Sequence, residues 1–89
     1  LMELTQKLYF QDSEKTIYAK KPWLPESEVE IRVEPQDCLV PDDLEKKGYQ
    51  YFLEVFIAQE IITNLSLVYP PYTLEKRCEK LINYAENDA

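Results

Sequence analysis

Carboxylates form the densest group of chemically active side chains in this sequence. Four of them, Glu26, Glu28, Glu30 and Glu34, follow one another at short spacing. Alternate residues on one strand face lie ~7 Å apart, close enough for neighbouring carboxylates to share a cation. The simpler interpretation, which we favour, is a solvated strand face on which Arg32 relieves the repulsion between them. The sequence therefore predicts no metal site at these residues.

Catalysis and cofactor binding lack the groups that they usually need. The chain has no His, which excludes Ser–His and Cys–His nucleophile pairs, and a single Gly, which excludes a Gly-rich phosphate loop. Cys38 and Cys78 lie too far apart in the sequence for a zinc motif, and we expect both to be buried free thiols. We therefore expect a protein that is not an enzyme and that binds no cofactor.

The charge balance points away from nucleic acids and membranes. Ten basic residues face seventeen acidic ones, and the net charge is −7. Nucleic-acid-binding proteins cluster Lys and Arg against phosphates, whereas the basic residues here are dispersed. The longest apolar stretch, residues 52–58, is far shorter than the ~20 residues of a membrane span, and no secretory leader is visible. We expect a cytoplasmic protein with no direct contact to nucleic acid or membrane, whose acidity gives solubility or a docking surface for a basic partner.

The length and the order of the apolar patterns predict the fold class. Eighty-nine residues make one domain, residues 1–89, and an apolar fraction of 45% is ample for a folded core. We expect an α+β fold in which a small N-terminal three-stranded antiparallel sheet packs against two C-terminal helices. A small sheet needs that cover, because a lone hairpin is only marginally stable in water.

Alternation of apolar and polar residues predicts three strands. They cover residues 2–11, 16–20 and 28–34, and the first two should form a hairpin around the polar turn at 12–15. The inward rows are Met2, Leu4, Leu8 and Phe10 in the first strand, Ile17 and Ala19 in the second, and Val29, Ile31 and Val33 in the third.

A stiff connection between two prolines separates the second and third strands. Pro22 and Pro25 flank Trp23 and Leu24, and both prolines restrict the backbone. We expect Trp23 and Leu24 to cover one end of the core. If the indole is exposed instead, it becomes a candidate contact residue.

Residues 42–65 carry two competing patterns. Asp42 and Glu45 resemble a capping box at a helix start, and Lys46, Lys47 and Gly48 resemble a helix end. We favour a helix over residues 42–65 that is kinked or interrupted at Gly48. The alternative is a central strand over residues 49–58, and both remain open at this point.

The last helix has the clearest pattern. Thr73 is a suitable N-cap, and one apolar stripe follows it, formed by Leu74, Cys78, Leu81, Ile82 and Ala85. Residues 64–72, which contain Pro70 and Pro71, are expected to connect this helix to the preceding element.

Surplus aromatic surface is the feature that bears on function. The chain contains seven Tyr, three Phe and one Trp, and residues 49–56 are apolar on more than one side. One layer of sheet and helix hides only one side, so the excess predicts contact with a protein partner or with a second copy. A core that fills its volume with large residues explains the pattern equally well. The candidate contact residues are Trp23, Glu28, Glu30, Tyr49, Tyr51, Phe52 and Phe56.

Two functions follow from these observations. The first is a non-catalytic acidic interaction or regulatory domain, with homodimerisation through residues 49–62 as one form of it. The alternative is an acidic inhibitor, of the immunity-protein or antitoxin kind, that blocks a basic site on a partner protein.

Overall fold

The computed structural model describes residues 1–68 and 70–87 and has the predicted α+β architecture. A three-stranded antiparallel sheet is combined with helices on its faces. The elements in chain order are α1 (Met2–Gln6), a 3-10 helix (Leu8–Phe10), β1 (Thr16–Lys20), β2 (Val29–Arg32), α2 (Asp42–Lys46), β3 (Tyr49–Glu54), α3 (Val55–Leu65) and α4 (Leu74–Asn87).

β1 is the central strand of the sheet, whose order is β2-β1-β3. Ile17 lies opposite Ile31 on β2 and Leu53 on β3. The register between β1 and β3 shifts next to Ile17, which leaves Phe52 without a partner on β1. Such a bulge turns two consecutive side chains the same way, and Phe52 and Leu53 are both buried in the main core.

The main core lies between one face of the sheet and helices α1, α3 and α4. It consists of Ile17, Ala19, Phe52 and Leu53 from the sheet, Leu1, Leu4 and Leu8 from the N-terminal segment, Val55, Ala58 and Ile62 from α3, and Cys78, Leu81, Ile82 and Ala85 from α4. Full burial of one such Leu, Ile or Phe side chain contributes about 1.5–3 kcal/mol. This cluster is therefore the principal source of stability.

A second, smaller core covers the opposite face of the sheet. Tyr18 and Tyr49 point to this face and pack with Leu44 of α2, while Val40 and Tyr51 are partly buried beside them. The ring of Tyr51 meets that of Tyr18 edge to face, with 6.3 Å between the ring centroids. Because α2 and the residues before it fold over this face, both sides of the sheet are covered within one chain.

The N-terminal segment is helical, so the predicted strand over residues 2–11 and its hairpin with β1 are wrong. Leu1, Leu4 and Leu8 are buried, which is helical spacing, whereas Phe10 and Met2 of the predicted inward row are exposed. The amide of residue 5 donates to the carbonyl of residue 1, as in a helix. Apolar residues that are four apart fit the period of a strand as well as that of a helix. The contact of this segment with α4 selects the helix.

Residues 42–65 form a helix, a strand and a second helix, so the favoured helix with a kink or interruption at Gly48 is wrong over Tyr49–Glu54 and is confirmed for Asp42–Lys46 and Val55–Leu65. Gly48 has φ +90, a left-handed conformation that ends α2 and lets the chain reverse into β3. The strand alternative is confirmed for Tyr49–Glu54, and α3 begins directly after it. The predicted cap is also wrong, because Pro41 occupies the N-cap position and no side chain caps α2.

The remaining elements follow the predicted patterns. β1 is confirmed with Ile17 and Ala19 buried, and the strand predicted over 28–34 is confirmed for Val29–Arg32, although Val33 is exposed. α4 is confirmed, and Thr73 Oγ1 accepts a hydrogen bond of 3.1 Å from the amide of Lys76. The predicted connection over 64–72 begins inside the last turn of α3, and Tyr69 lies outside the described residues.

The cysteines differ from the expectation in one respect. Both are free thiols, and Cys78 is buried in the main core as predicted. Cys38 is exposed, because it lies in the segment that crosses over the second core with its side chain toward solvent. The prediction that both thiols are buried is therefore wrong for Cys38.

Candidate functional site

An acidic cleft opens where β1 begins and β3 ends. Thr16 lies opposite Glu54 in the sheet, and the amide of Val55 donates to the carbonyl of Lys15 at 3.0 Å. These contacts join the start of one strand to the point at which β3 passes into α3. The cleft between them has a volume of about 450 Å³ and is lined by Ser13, Glu14, Lys15, Thr16, Glu34, Glu54 and Phe56.

Three carboxylates line this cleft: Glu14, Glu34 and Glu54. The ion pairs found within the described chain engage other acidic residues, and none of them reaches these three. Their negative potential acts on neighbouring groups. Burial first, and then the nearby Glu54 and Glu34, raise the pKa of Tyr51 to about 12.

Phe56 stands at the rim of the cleft, in the first turn of α3, and is 46% exposed. It also lines a second, shallow cavity along the outer face of α3, next to Glu60. An apolar ring therefore separates two polar hollows. We call the group formed by Glu14, Glu34, Glu54, Phe56 and Glu60 the Phe56 surface.

The N-terminal segment borders the same helix. The side-chain amide of Gln59 donates to the carbonyls of Leu8 and Gln11 at 3.0 and 3.2 Å, which holds the 3-10 helix against α3. The hydroxyl of Tyr9 lies 2.6 Å from that of Thr63. Phe10 follows Tyr9 and is 88% exposed, so a second phenyl ring projects from the segment attached to α3.

The aromatic residues predicted as contact residues divide into two groups. Phe52 is buried in the main core, Tyr49 is buried in the second core, and Tyr51 is partly buried there. These three rings therefore pack inside the chain, and a partner would reach Phe52 or Tyr49 only if the cores opened. Phe56 is the one that belongs to the exposed cleft.

Trp23 covers one end of the main core, as the sequence indicates. Its ring meets Phe52 edge to face with 5.0 Å between centroids, and its indole N–H donates to the carbonyl of Ala19 at 3.2 Å. Lys21 lies over the outer face of the ring, 4.6 Å from its centroid. Leu24 is exposed and contributes less to this cover.

Two of the four glutamates in the predicted acidic stripe, Glu28 and Glu30, form ion pairs within the chain. Glu28 pairs with Lys20 at 3.0 Å, and Glu30 pairs with Arg32 at 3.3 Å. Arg32 also reaches Asp43 of α2 at 3.2 Å, which ties the stripe to the second core. Exposed pairs of this kind contribute little stability, but they occupy the charges that a partner would use.

Glu34 and Glu54 were the residues that sequence reasoning could not place together. Both line the cleft because β3 pairs with β1. The alternation of Tyr49, Tyr51 and Leu53 was the sign in the sequence that indicated β3. Once β3 is assigned, Glu54 falls at its end, next to the helix that carries Phe56.

The described part of the chain, residues 1–68 and 70–87, holds no group of three or more His, Cys, Asp or Glu side chains placed to bind a metal ion. None of the helices in those ranges combines the length and the apolar character that crossing a membrane requires. No protein family, curated protein or solved structure shows significant similarity to this chain.

Proposed function

We propose that this chain is a non-catalytic interaction domain that binds a basic surface of another protein through the Phe56 surface. The observation that carries the proposal is the exposed ring of Phe56 standing beside a cleft lined by three carboxylates. Within the described chain, no ion pair neutralises those carboxylates.

Both components of this surface favour a protein partner. An exposed aromatic ring gains affinity when a partner pocket covers it, and buried aromatic anchors dominate the binding energy of many interfaces. Carboxylates around the ring add specificity and speed association with a positively charged partner. The net charge of −7 extends that attraction beyond the contact itself. An Arg or Lys side chain could enter the cleft and also lie over the ring.

The aromatic component is tested by capture from an extract of the source cells, with Phe56→Ser as the test variant. The matched control is Tyr84→Ser on α4, because Tyr84 is 40% exposed and its removal changes a helix surface to a similar degree. Support requires a basic protein that the chain and the control both retain and that Phe56→Ser loses. A protein retained equally by all three would contradict the proposal.

The electrostatic component is tested with the captured protein after purification. The test variant changes Glu14, Glu34 and Glu54 to Gln, and the control changes Glu75, Glu79 and Glu86 on α4 to Gln, so both lose the same formal charge. We expect the first variant to associate at least tenfold more slowly at low salt, while the control changes little. Equal effects would show that only the overall charge matters.

An inhibitory role is the second candidate, and it is favoured by the same carboxylates, which no ion pair in the described chain engages. Carboxylates that converge on one cleft can replace the anionic groups that a basic active site recognises. With a purified partner, an inhibitor would abolish the partner's activity at one equivalent. An unchanged activity in the complex would instead indicate a scaffold or regulatory role.

We also propose that the chain acts in the cytoplasm. Cys38 is an exposed free thiol, and such a group persists most readily where the surroundings are reducing. Fractionation of source cells with an antibody to the chain tests this, and recovery in an exported fraction would contradict it.

A further inference from the structure

The segment that covers the second face of the sheet is held in place by few contacts. We call residues 33–48 the strap, which runs from the end of β2 through α2 to the start of β3. Within the described chain, every backbone hydrogen bond of the strap joins two of its own residues. Its polar contacts with the rest of that chain are the hydrogen bond from the Tyr18 hydroxyl to the carbonyl of Leu39 and the ion pair between Arg32 and Asp43.

The apolar contacts of the strap are also few. The main core has fourteen buried residues, whereas the second core has three, and of these three Leu44 alone belongs to the strap. Val40 adds a partly buried contact. The helix that carries Leu44, α2, is five residues long and has no side-chain cap among the described residues. A helix this short is unstable on its own, so α2 depends on the packing of Leu44 against the sheet.

Both ends of the strap are suited to bending. Gly48 forms one end, where the backbone has φ +90 and open space surrounds the position that a Cβ would take. Residues 33–35 form the other end and belong to no helix or strand. Hinged segments move through backbone changes at a few such positions next to regular elements. The strap can therefore turn at its two ends while β2 and β3 keep their places in the sheet.

We propose that the strap is a lid that swings away from the sheet as one unit while the sheet and the main core stay folded. Segments with few buried apolar contacts open at a lower free energy than the core of the same protein. Opening separates Leu44 and Val40 from the sheet and breaks one hydrogen bond and one exposed ion pair, a kind of pair that contributes little stability. The main core keeps all of its buried residues, because none of them belongs to the strap.

Opening changes the surface that the chain presents. It uncovers Tyr18, Tyr49 and Tyr51, an aromatic face of the sheet that the closed strap hides. It also displaces Glu34, which belongs to the strap and lines the cleft of the Phe56 surface. The closed state therefore has the complete Phe56 surface, and the open state exposes the tyrosine face at its expense. The consequence for Glu34 rests on the proposed function, whereas the opening itself does not.

Hydrogen exchange of the unaltered chain tests whether the strap opens more easily than the core. The amides of Glu45 and Lys47 donate hydrogen bonds inside the strap, and the amide of Leu81 lies in the middle of α4. After correction for intrinsic rates, we expect the two strap amides to exchange about a hundredfold faster than that of Leu81. Equal protection of all three would show that the strap opens only when the whole chain unfolds, and it would overturn the inference.

Tyr18→Phe tests whether the strap moves as one unit. This variant removes the hydrogen bond to Leu39, which precedes α2, so in a single lid its loss should speed the exchange of Glu45 and Lys47 about fivefold. The matched control is Tyr9→Phe, which removes a hydroxyl that contacts α3, and we expect it to leave the strap amides unchanged. Strap amides that do not respond to Tyr18→Phe would show that α2 frays by itself, which contradicts a lid.

Ile62→Val separates opening of the strap from unfolding of the whole chain. It removes one methyl group from the main core, so the amide of Leu81 should exchange about threefold faster, while those of Glu45 and Lys47 keep their rates. An equal acceleration of all three amides would overturn the inference. Phe56→Ser should also leave the strap amides unchanged, even though it abolishes partner capture, so the lid and the proposed function can fail independently.

Discussion

The hydroxyl of Tyr18 donates a hydrogen bond of 2.8 Å to the carbonyl oxygen of Leu39. Tyr18 lies on the central strand, whereas Leu39 lies in the segment that crosses the second face of the sheet before α2. The bond therefore ties that segment to the middle of the fold and helps to close the second core. Because Tyr18 is buried, its hydroxyl cannot bond to water, and this bond supplies the hydrogen-bond partner that the hydroxyl would otherwise lack.

We predict that Tyr18→Phe lowers the free energy of unfolding by about 1 kcal/mol, because the ring stays buried while its hydrogen bond is lost. Urea unfolding followed by circular dichroism measures the change. The control is Tyr9→Phe, whose hydroxyl is also close to a partner but lies at the surface, and we expect a change within about 0.5 kcal/mol. Equal losses in the two variants would show that the buried bond has no special weight.

The turn at Gly48 gives a second prediction. Its φ is +90, and a Cβ placed there would meet no atom within 4 Å. Gly48→Ala should therefore lose about 1–2 kcal/mol from backbone strain alone, with no contribution from a clash. Gly48→Asn should lose less, since Asn tolerates the left-handed region better. If Ala proves as stable as Gly, the end of α2 cannot depend on this conformation.

Where the apolar residues of a segment follow one clear period, the sequence was sufficient to predict the secondary structure of that segment. The stripe from Leu74 to Ala85 predicted α4, and alternation predicted β1 and most of β2. The strand prediction for the N-terminal segment was wrong because Leu4 and Leu8, which are four residues apart, fit the spacing of a strand as well as that of a helix. Packing against α4, which decides between the two, is not visible in local sequence.

The helix prediction was wrong in part of the segment from Tyr49 to Leu65 for a different reason. The spacing of its apolar residues changes between Glu54 and Val55, from the two-residue period of a strand to the period of a helix. Neither Gly nor Pro marks the change. The candidate cleft depended on the same assignment. Phe56 could be chosen from its apolar character, but its neighbours Glu34 and Glu54 could not be placed before β3 was paired with β1.

The two thiols should react at very different rates. Cys38 is exposed, whereas Cys78 is buried, and that burial raises the pKa of the Cys78 thiol, so little thiolate forms. With a coloured disulfide reagent at neutral pH, we expect one thiol per folded chain to react quickly and the second only after unfolding. Cys38→Ser should remove the fast phase. A fast phase that remains in this variant would show that Cys78 is accessible.

The buried phenol of Tyr51, which has carboxylates nearby, should make the protein lose stability in alkali. Burial, with Glu54 and Glu34 nearby, raises the pKa of Tyr51 to about 12 in the folded chain, above the usual value of 10.0. The folded state therefore holds this proton more tightly than the unfolded state does. The resulting stability is fully present below pH 10 and is lost as the pH rises toward 12.

Two variants separate the causes of this pH dependence. Tyr51→Phe should reduce the fall in the free energy of unfolding above pH 10, since one phenol with a raised pKa is gone. Glu54→Gln should lower the pKa of Tyr51, because it removes one nearby negative charge and leaves the burial of the ring in place. The ultraviolet absorbance of the phenolate measures both, as a difference between each variant and the parent chain. If Tyr51→Phe leaves the highest-pH step of the titration in place, another of the seven tyrosines carries it.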